Sequence, residues 1–497
     1  MSPARRRAVL LTLTVTIATY VLTITVANVT LPQLQGSFAA TQDQITWIVT
    51  SNLLATAVAT PLSGWLNGRF GRRRVMLWAA GIFTLASTAC GLASGLAELV
   101  VYRAIQGAAG APLLPISQAI VLQIYPRSEH GRVFVLWSIG ITLGSIIAPV
   151  LGGYASEDYG WRWVFLMVVP LAAACVVAIW AYIDEAGEAG SSPPFDWYGF
   201  AFLAIAVSAL QIMLDRGERL DWFGSTEIVL EAVIAASAFY LFVVHALTSK
   251  RPFLDPRLLL DRNYTVGVAL GFVFGMLYFT TLVLQPTMLQ GLRDYPESVI
   301  GILQASRGVG LLAGSVVVLA FLRKLDPRLS ILLGFLTQGL AGFAMARFDV
   351  NMTTWGVAWT TMLQGFGIGL IWSPITVVTF ATLAPRHLAE AASVFHLLRN
   401  IGSSVHIAIS ASLVVRSGRA SYAEIVEVLN PFNEHLKFGS VMGGWDAGTP
   451  EGLAALSAEI GRQASMIGYI NAYYAYAALA VLVLPLVFLA KRPQAAG

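Results

Sequence analysis

Charged side chains are scarce in this sequence. Asp, Glu, Lys and Arg make up 12% of its 497 residues, about half of the roughly 25% usual in soluble domains. That excludes an ordinary water-soluble globular protein and equally a charge-rich disordered chain. Acids are scarcest at depth. None of the 27 Asp and Glu residues falls in the middle of an apolar stretch; Glu231 lies a short way into one, and Glu98, Asp215 and Glu227 lie at edges. Cysteine is limited to Cys90 and Cys175, both inside apolar stretches, which excludes a disulfide framework. The six histidines form no metal-ligand pattern, and no nucleophile elbow or phosphate-binding glycine loop occurs, so no metal, cofactor or enzymatic site is expected. The pI is near 9.0, yet the basic residues form no soluble, aromatic-interleaved module, which excludes nucleic-acid binding.

What the chain has is apolar length. It is 57% hydrophobic, with a mean hydropathy of +0.70, and reads as an all-α polytopic membrane protein. Apolar runs predict fourteen spans, at 8–31, 45–66, 75–95, 97–124, 132–155, 161–183, 197–214, 226–248, 264–289, 296–322, 329–347, 353–381, 389–415 and 465–490. The start, MSPARRRAVLL, has the charged opening of a signal peptide but no convincing cleavage site follows, so it is read as a retained first helix. An even number of spans puts both ends on one side. That side carries 19 Lys and Arg against 9 on the other, so both ends are expected in the cytoplasm.

The stretch RAIQGAAGAPLLPISQAIVLQIYPR, from Arg103 to Arg127, returns near residue 364 as QGFGIGLIWSPITVVTFATLAPR. Gln106-Gly107 matches Gln364-Gly365, and Pro115 and Pro126 recur as Pro374 and Pro385 at the same spacing. Duplication at half-length marks transporters built from two bundles with the substrate path between them. Two six-helix bundles are satisfied if the seventh and eighth spans are an inserted pair. The expected units are therefore 1–183, a linker with inserted helices over 184–262, and 263–497, the last including an outer loop at 417–464 that contains short helices.

Three local patterns stand out. GWLNGRFGRRR, with Gly64, Arg69, Gly71 and Arg72, joins spans 2 and 3. Its glycines permit a tight turn, and its arginines either bind helix C-termini or simply mark a positive-inside loop. Arg103, inside span 4, is a functional cation or a structural one tied to carbonyls. Gly140, Gly144, Pro149, Gly152 and Gly153 put small residues and a bend on span 5.

These patterns, in this order, resemble the major facilitator superfamily. The fourteen-helix layout resembles its drug:proton antiporter branch of the EmrB/QacA type. ITVANVTLP, PLSGWL, GWRWVF, RNYTVG and LLRNIG add to the match, and Asn430-Pro431-Phe432-Asn433 resembles the EmrB subgroup in particular. The resemblance implies a multi-pass inner-membrane exporter of amphipathic small molecules. Export would run by proton antiport with alternating access, with a periplasmic membrane-fusion adaptor and an outer-membrane channel as partners. One departure is plain: Thr23 stands where the family usually has the aspartate expected to carry the proton. Thr23 also suggests an alternative, a transporter-derived scaffold or sensor without proton-coupled flux.

Without that acid the interior reads as cationic. Arg103, Arg307 and Arg399 lie within spans, and His396 and Arg399 share a helical face. This predicts a preference for anionic or weakly acidic hydrophobic compounds, unless the arginines only face carbonyls. His396, His406 or Glu231 could carry protons, or the histidines could be packed and neutral. Asn28, Gln106, Gln118, Gln304 and Gln364 either line the path or join helices.

Overall fold

Proline stands at several points where the long apolar stretches divide, although Pro286 and Pro374 lie inside unbroken helices. The computed structural model describes residues 2–40, 42–126, 129–185, 195–250, 252–321, 326–384, 387–428 and 449–491. α1 (Pro3–Val29) passes to α2 (Leu31–Phe38), which has a proline in its first turn. α3 (Gln42–Ala59) passes to α4 (Leu62–Phe70) at Pro61. α5 (Arg72–Leu92) is unbroken, and α6 (Leu96–Gly110) passes to α7 (Leu113–Ile124) at Pro112. α8 (His130–Tyr159) is followed by α9 (Trp161–Leu166) and α10 (Val169–Tyr182), the latter opening on Pro170. Proline lacks an N–H and suits the first turn of a helix rather than its interior. The stretches expected as single helices at 45–66, 97–124 and 161–183 are therefore each two helices end to end, whereas 8–31 is the single helix α1, with α2 following it.

The rest of the chain is α11 (Trp197–Arg216), α12 (Thr226–Thr248), α13 (Arg262–Arg293), α14 (Glu297–Phe321), α15 (Pro327–Met345), α16 (Thr354–Phe380), α17 (Leu388–Val428), α18 (Pro450–Leu482) and α19 (Leu484–Leu489). Thirteen helices among the described residues are long and apolar enough to cross a membrane, and Trp47–Ala59 is a shorter one, giving about fourteen spans.

The ends of the chain's second half depart from expectation. α17 is 41 residues and α18 is 33 residues. At 1.5 Å per residue α17 is about 60 Å long, twice the ~30 Å hydrocarbon core. Residues 417–428 and 450–464, expected as short helices in a loop, instead prolong the spans. The extensions lie side by side: the Tyr422 and Ser457 hydroxyls are 3.0 Å apart, and at their base Asn471 of the span donates to the Ser417 hydroxyl at 2.5 Å. The Asn430-Pro431-Phe432-Asn433 motif lies outside the described residues, as do most of the linker after Glu185 and residues 323–325.

Packing follows the internal repeat. α1 packs on α8 and α10, α3 on α6, and α5 on α6 and α10. In the second half α13 packs on α17, α14 on α16, and α15 on α16 and α18. The glycine of each Gln-Gly pair makes the same contact. A Cβ on Gly107 would lie 2.3 Å from the Asn52 carbonyl oxygen of α3, and one on Gly365 would lie 1.9 Å from the Arg307 carbonyl oxygen of α14. The span 5 stripe lies on α1: Gly140 abuts the Thr14 carbonyl, Gly144 the Ala18 carbonyl and Gly152 the Val26 side chain. Gly153, expected in the same stripe, has nothing within 4 Å of its Cβ position, because its neighbour Gly152 already occupies the face toward α1. The side chain of Pro149 lies outside the described residues.

The arginines of the basic loop reach the end of α10 and the residues that follow it. Arg72 donates to the Asp184 carbonyl at 3.1 Å, Arg73 to the Trp180 carbonyl at 2.7 Å at the end of α10, and Arg74 pairs with Glu185 at 2.7 Å. Gly71 makes the turn at φ +83°; Arg69 is exposed. A Cβ on Gly64 would lie 2.9 Å from the Glu390 Cα, which brings α4 directly against the start of α17.

Gly107→Ala forces a methyl into a backbone carbonyl and is expected to cost about 1–3 kcal/mol. Gly153→Ala is expected to leave stability unchanged. Thermal unfolding of the two purified variants in detergent checks the contrast.

Candidate functional site

The hydrogen bonds between the two halves lie near the end that carries the basic loop. Two hydrogen bonds join residues 1–183 to 263–491 among the described residues, and both lie there. His396 Nε2 and Gln118 Oε1 are 2.5 Å apart, and the Ser373 hydroxyl donates to the Gly131 carbonyl at 3.2 Å. Val135 of α8 packs with Val318 of α14 and Leu370 of α16 in one apolar cluster. Farther along the same seam Gly308 of α14 fits against Ile146 of α8. Gln118, one of several polar side chains expected on the path, is thus at the seam together with His396.

Beside that contact, four helices contribute a mixed aromatic and cationic cluster. Arg399 lies over Trp372 at 5.3 Å and over Phe279 at 5.7 Å, and Arg307 lies over Tyr278 at 4.6 Å. Tyr278 and Phe279 are in edge contact at 4.6 Å, and Trp372 lies 6.2 Å from His396. Ring faces carry negative quadrupole charge, so they offset part of the cost of holding guanidinium groups at depth. Arg399 also donates to the Asn400 side chain at 3.0 Å, and Arg307 donates to the Tyr278 carbonyl.

The cluster has more donors than acceptors. Arg399 Nε, Arg307 Nη1, Trp372 Nε1 and Gln118 Nε2 are buried with no hydrogen-bond partner, and His396 Nδ1 is in the same position. Neither Arg307 nor Arg399 has a carboxylate partner among the described residues. Buried donors are normally satisfied. A group of unsatisfied ones, with aromatic faces beside them, is suited to an anionic head on an apolar body.

The remaining expected residues lie elsewhere. Arg103 is inside the first half, bonded to the Ile48 carbonyl at 3.2 Å and to Gln106 at 2.5 Å, with its guanidinium over Phe165 at 5.9 Å. Gln106 passes the chain on to Ser87 at 2.7 Å. The Thr23 hydroxyl donates to the Thr19 carbonyl of its own helix at 2.8 Å. The Asn28 side chain lies outside the described residues. Gln364 donates to Thr281 at 2.7 Å and to Tyr476 at 3.1 Å, inside the second half, where His406 meets Thr280 at 2.7 Å. Glu231 is on α12, which packs on α11 rather than on the arginine cluster. The aromatic members Tyr278, Phe279 and Trp372 are not distinguishable in sequence from interfacial aromatics. The one signal was Trp372, two residues ahead of the repeated proline, where the first copy has Leu113.

The model of the Major Facilitator Superfamily matches residues 13–406. The multidrug export protein EmrB of Escherichia coli (strain K12) is 32% identical over 98% of this chain and 96% of its own length. The fatty acid resistance protein FarB of Neisseria gonorrhoeae is 31% identical over 96% of this chain and 94% of its own. The human organic anion transporter MFSD10 (TETRAN) shares the fold, with a TM-score of 0.63 at 13% identity over 98% of this chain and all of that one. A long apolar multi-span architecture, a duplicated packing scheme and near full-length identity therefore agree: the chain is a multi-pass inner-membrane protein that belongs to the Major Facilitator Superfamily, in its EmrB-type drug:proton antiporter family.

Proposed function

We propose that the protein is a multidrug efflux transporter that exports amphipathic small molecules by proton antiport with alternating access, and that it favours anionic or weakly acidic hydrophobic compounds. The observation that carries the preference is the Arg307–Arg399 cluster: two guanidinium groups caged by Tyr278, Phe279 and Trp372, with four buried donors unpartnered and no carboxylate paired to either. The names of the relatives, a multidrug export protein and a fatty acid resistance protein, support export as the activity. In this reading residues 1–183 and 263–497 are the two moving bundles, with both termini in the cytoplasm. The basic end is then the cytoplasmic one. The paired extensions of α17 and α18 project into the periplasm, where they would meet a membrane-fusion adaptor that leads to an outer-membrane channel.

His396 is the coupling residue favoured among the three weighed. It is titratable, and its Nε2 holds the seam through Gln118. A change in its protonation acts directly on a contact between the halves. His406 lies within the second half against Thr280, and Glu231 lies on the inserted pair, so neither touches that seam.

The test uses purified protein in liposomes with a trapped pH dye and an imposed proton gradient. Hydrophobic acids are expected to move protons in a protein-dependent way, and protein-free liposomes control for leakage of the acids. Proton movement with quaternary cations and none with acids would overturn the preference; no flux of any labelled compound would favour the scaffold. Arg399→Gln is expected to raise the KM for acids about tenfold, close to 1.4 kcal/mol of binding, while the protein melts as before. His396→Gln, which keeps an N–H donor near the Nε2 position for Gln118 but cannot titrate, is expected to leave downhill substrate flux and abolish its response to the proton gradient. His406→Asn is expected to retain that response.

A further inference from the structure

The inserted helices α11 and α12 are not peripheral to both bundles alike. α11 packs against α3 of the first half and α17 of the second, and one apolar cluster joins Ala57, Leu203, Val207 and Leu397. On α11, Gln211 and Asp215 are one turn apart and bond in different directions. Gln211 accepts from the Ser404 hydroxyl of α17 at 2.8 Å. Asp215 accepts from the Thr50 hydroxyl of α3 at 2.7 Å.

The attachments are unequal. Toward α17 they run almost the whole length of the membrane. The Asp255 amide donates to Glu390 at 2.6 Å near the basic end, Gln211 holds Ser404 midway, and the Trp222 indole donates to the Ser412 hydroxyl at 2.8 Å beyond it. Arg416 adds exposed contacts to Glu218 at 3.8 Å and Asp221 at 3.6 Å, which carry little weight in water. The turn that delivers Trp222 is itself held in an unfavourable form, with Asp221 at φ +57° and Trp222 at φ +50°. Glu390 and Ser412 are 22 residues apart on one helix, about 33 Å. Toward the first half α11 also packs along α3, no less extensively than on α17, but among the described residues the polar attachment there is the single Thr50–Asp215 bond, near one end of α11, with an edge contact between Trp65 and Phe195 at 4.7 Å near the other.

A motion that tilts one half against the other changes the separation of α3 and α17 away from the closed end. An α11 bonded to both can keep only one set of contacts. We propose that the inserted pair is carried by the second half as part of its rigid body, and that the Thr50–Asp215 bond is made and broken in each transport cycle. Asp215 is then a positioning residue for transport, remote from the arginine cluster and acting through α3. The inference rests on the alternating-access reading, so its test must separate the two.

Three cysteine pairs serve, each in a Cys90→Ser/Cys175→Ser background and each bridged by a short, reducible bis-methanethiosulfonate reagent. They are Thr50→Cys/Asp215→Cys, Gln211→Cys/Ser404→Cys and Val135→Cys/Leu370→Cys. Flux of a radiolabelled hydrophobic acid and of a lipophilic cation is measured in liposomes before bridging, after bridging and after reduction. Bridging residues 50 and 215 is expected to cut flux at least tenfold, with recovery on reduction. Bridging 211 and 404 is expected to leave flux within twofold. Full flux with 50 and 215 bridged, or arrest with 211 and 404 bridged, overturns the inference. Full flux with 135 and 370 bridged overturns alternating access itself, because that bridge ties the halves directly. Flux of each variant before bridging shows that it has folded. Spin labels at the lipid-exposed positions Leu230, Leu85 and Leu340 give a second measurement with no core change. On adding substrate and a proton gradient the 230–340 distance is expected to stay fixed while 230–85 shifts; the reverse pattern overturns the inference.

Discussion

The architecture depends on how closely helical backbones can approach one another in a medium that offers no hydrophobic driving force between them. Lipid tails are as apolar as leucine, so association in the membrane relies on dispersion and polar contact. Here that contact is made by glycine against carbonyl. Gly107 on α3, Gly140 and Gly144 on α1, Gly365 on α14 and Gly402 on α13 each leave less room than a methyl group needs. These contacts hold each half together from within. The seam between the halves is made of other material: a histidine with a glutamine, a serine with a carbonyl, and branched aliphatic side chains. Tight backbone contact recurs inside each half, whereas between the halves it is confined to Gly64 against Glu390 among the glycines described, and the rest of the boundary is side-chain contact.

The same logic sorts the three membrane arginines. Arg103 is fully enclosed, bonds to the Ile48 carbonyl and to Gln106, which bonds on to Ser87, and has no nitrogen among the buried unpartnered atoms. It belongs to the fabric of its half. Arg307 and Arg399 keep nitrogen atoms without partners and have rings where a carboxylate would otherwise be expected. Removing one member of a fully satisfied group disturbs the fold; a group left partly unsatisfied has capacity for something that comes and goes.

Much of this was legible in the sequence, and the rest has physical reasons for being hidden. The number of spans followed from apolar length, and the equivalence of Gly107 and Gly365 followed from the repeated Gln-Gly. The proline divisions at Pro61 and Pro112 were not read from hydropathy, because a broken span is as apolar as a continuous one. The extensions of α17 and α18 were missed for the opposite reason: residues 417–428 and 450–464 are too polar for a membrane but helix-favouring in water. In sequence the three membrane arginines are cations of equal standing. What separates Arg103 from the other two is the set of neighbours supplied by α13, α14, α16 and α17, and residues from four helices have no proximity in sequence.

Because α17 and α18 continue without a break from the bilayer into their paired extensions, they act as a lever. Over the ~60 Å of α17, a tilt of about 10° about the mid-membrane displaces the far tip by roughly 7–8 Å. Rearrangements too slight to notice at the level of individual side chains near Arg399 are therefore magnified at the hairpin's end. Anything resting on that tip would register the state of the interior as a change of position, mechanically and without a ligand of its own.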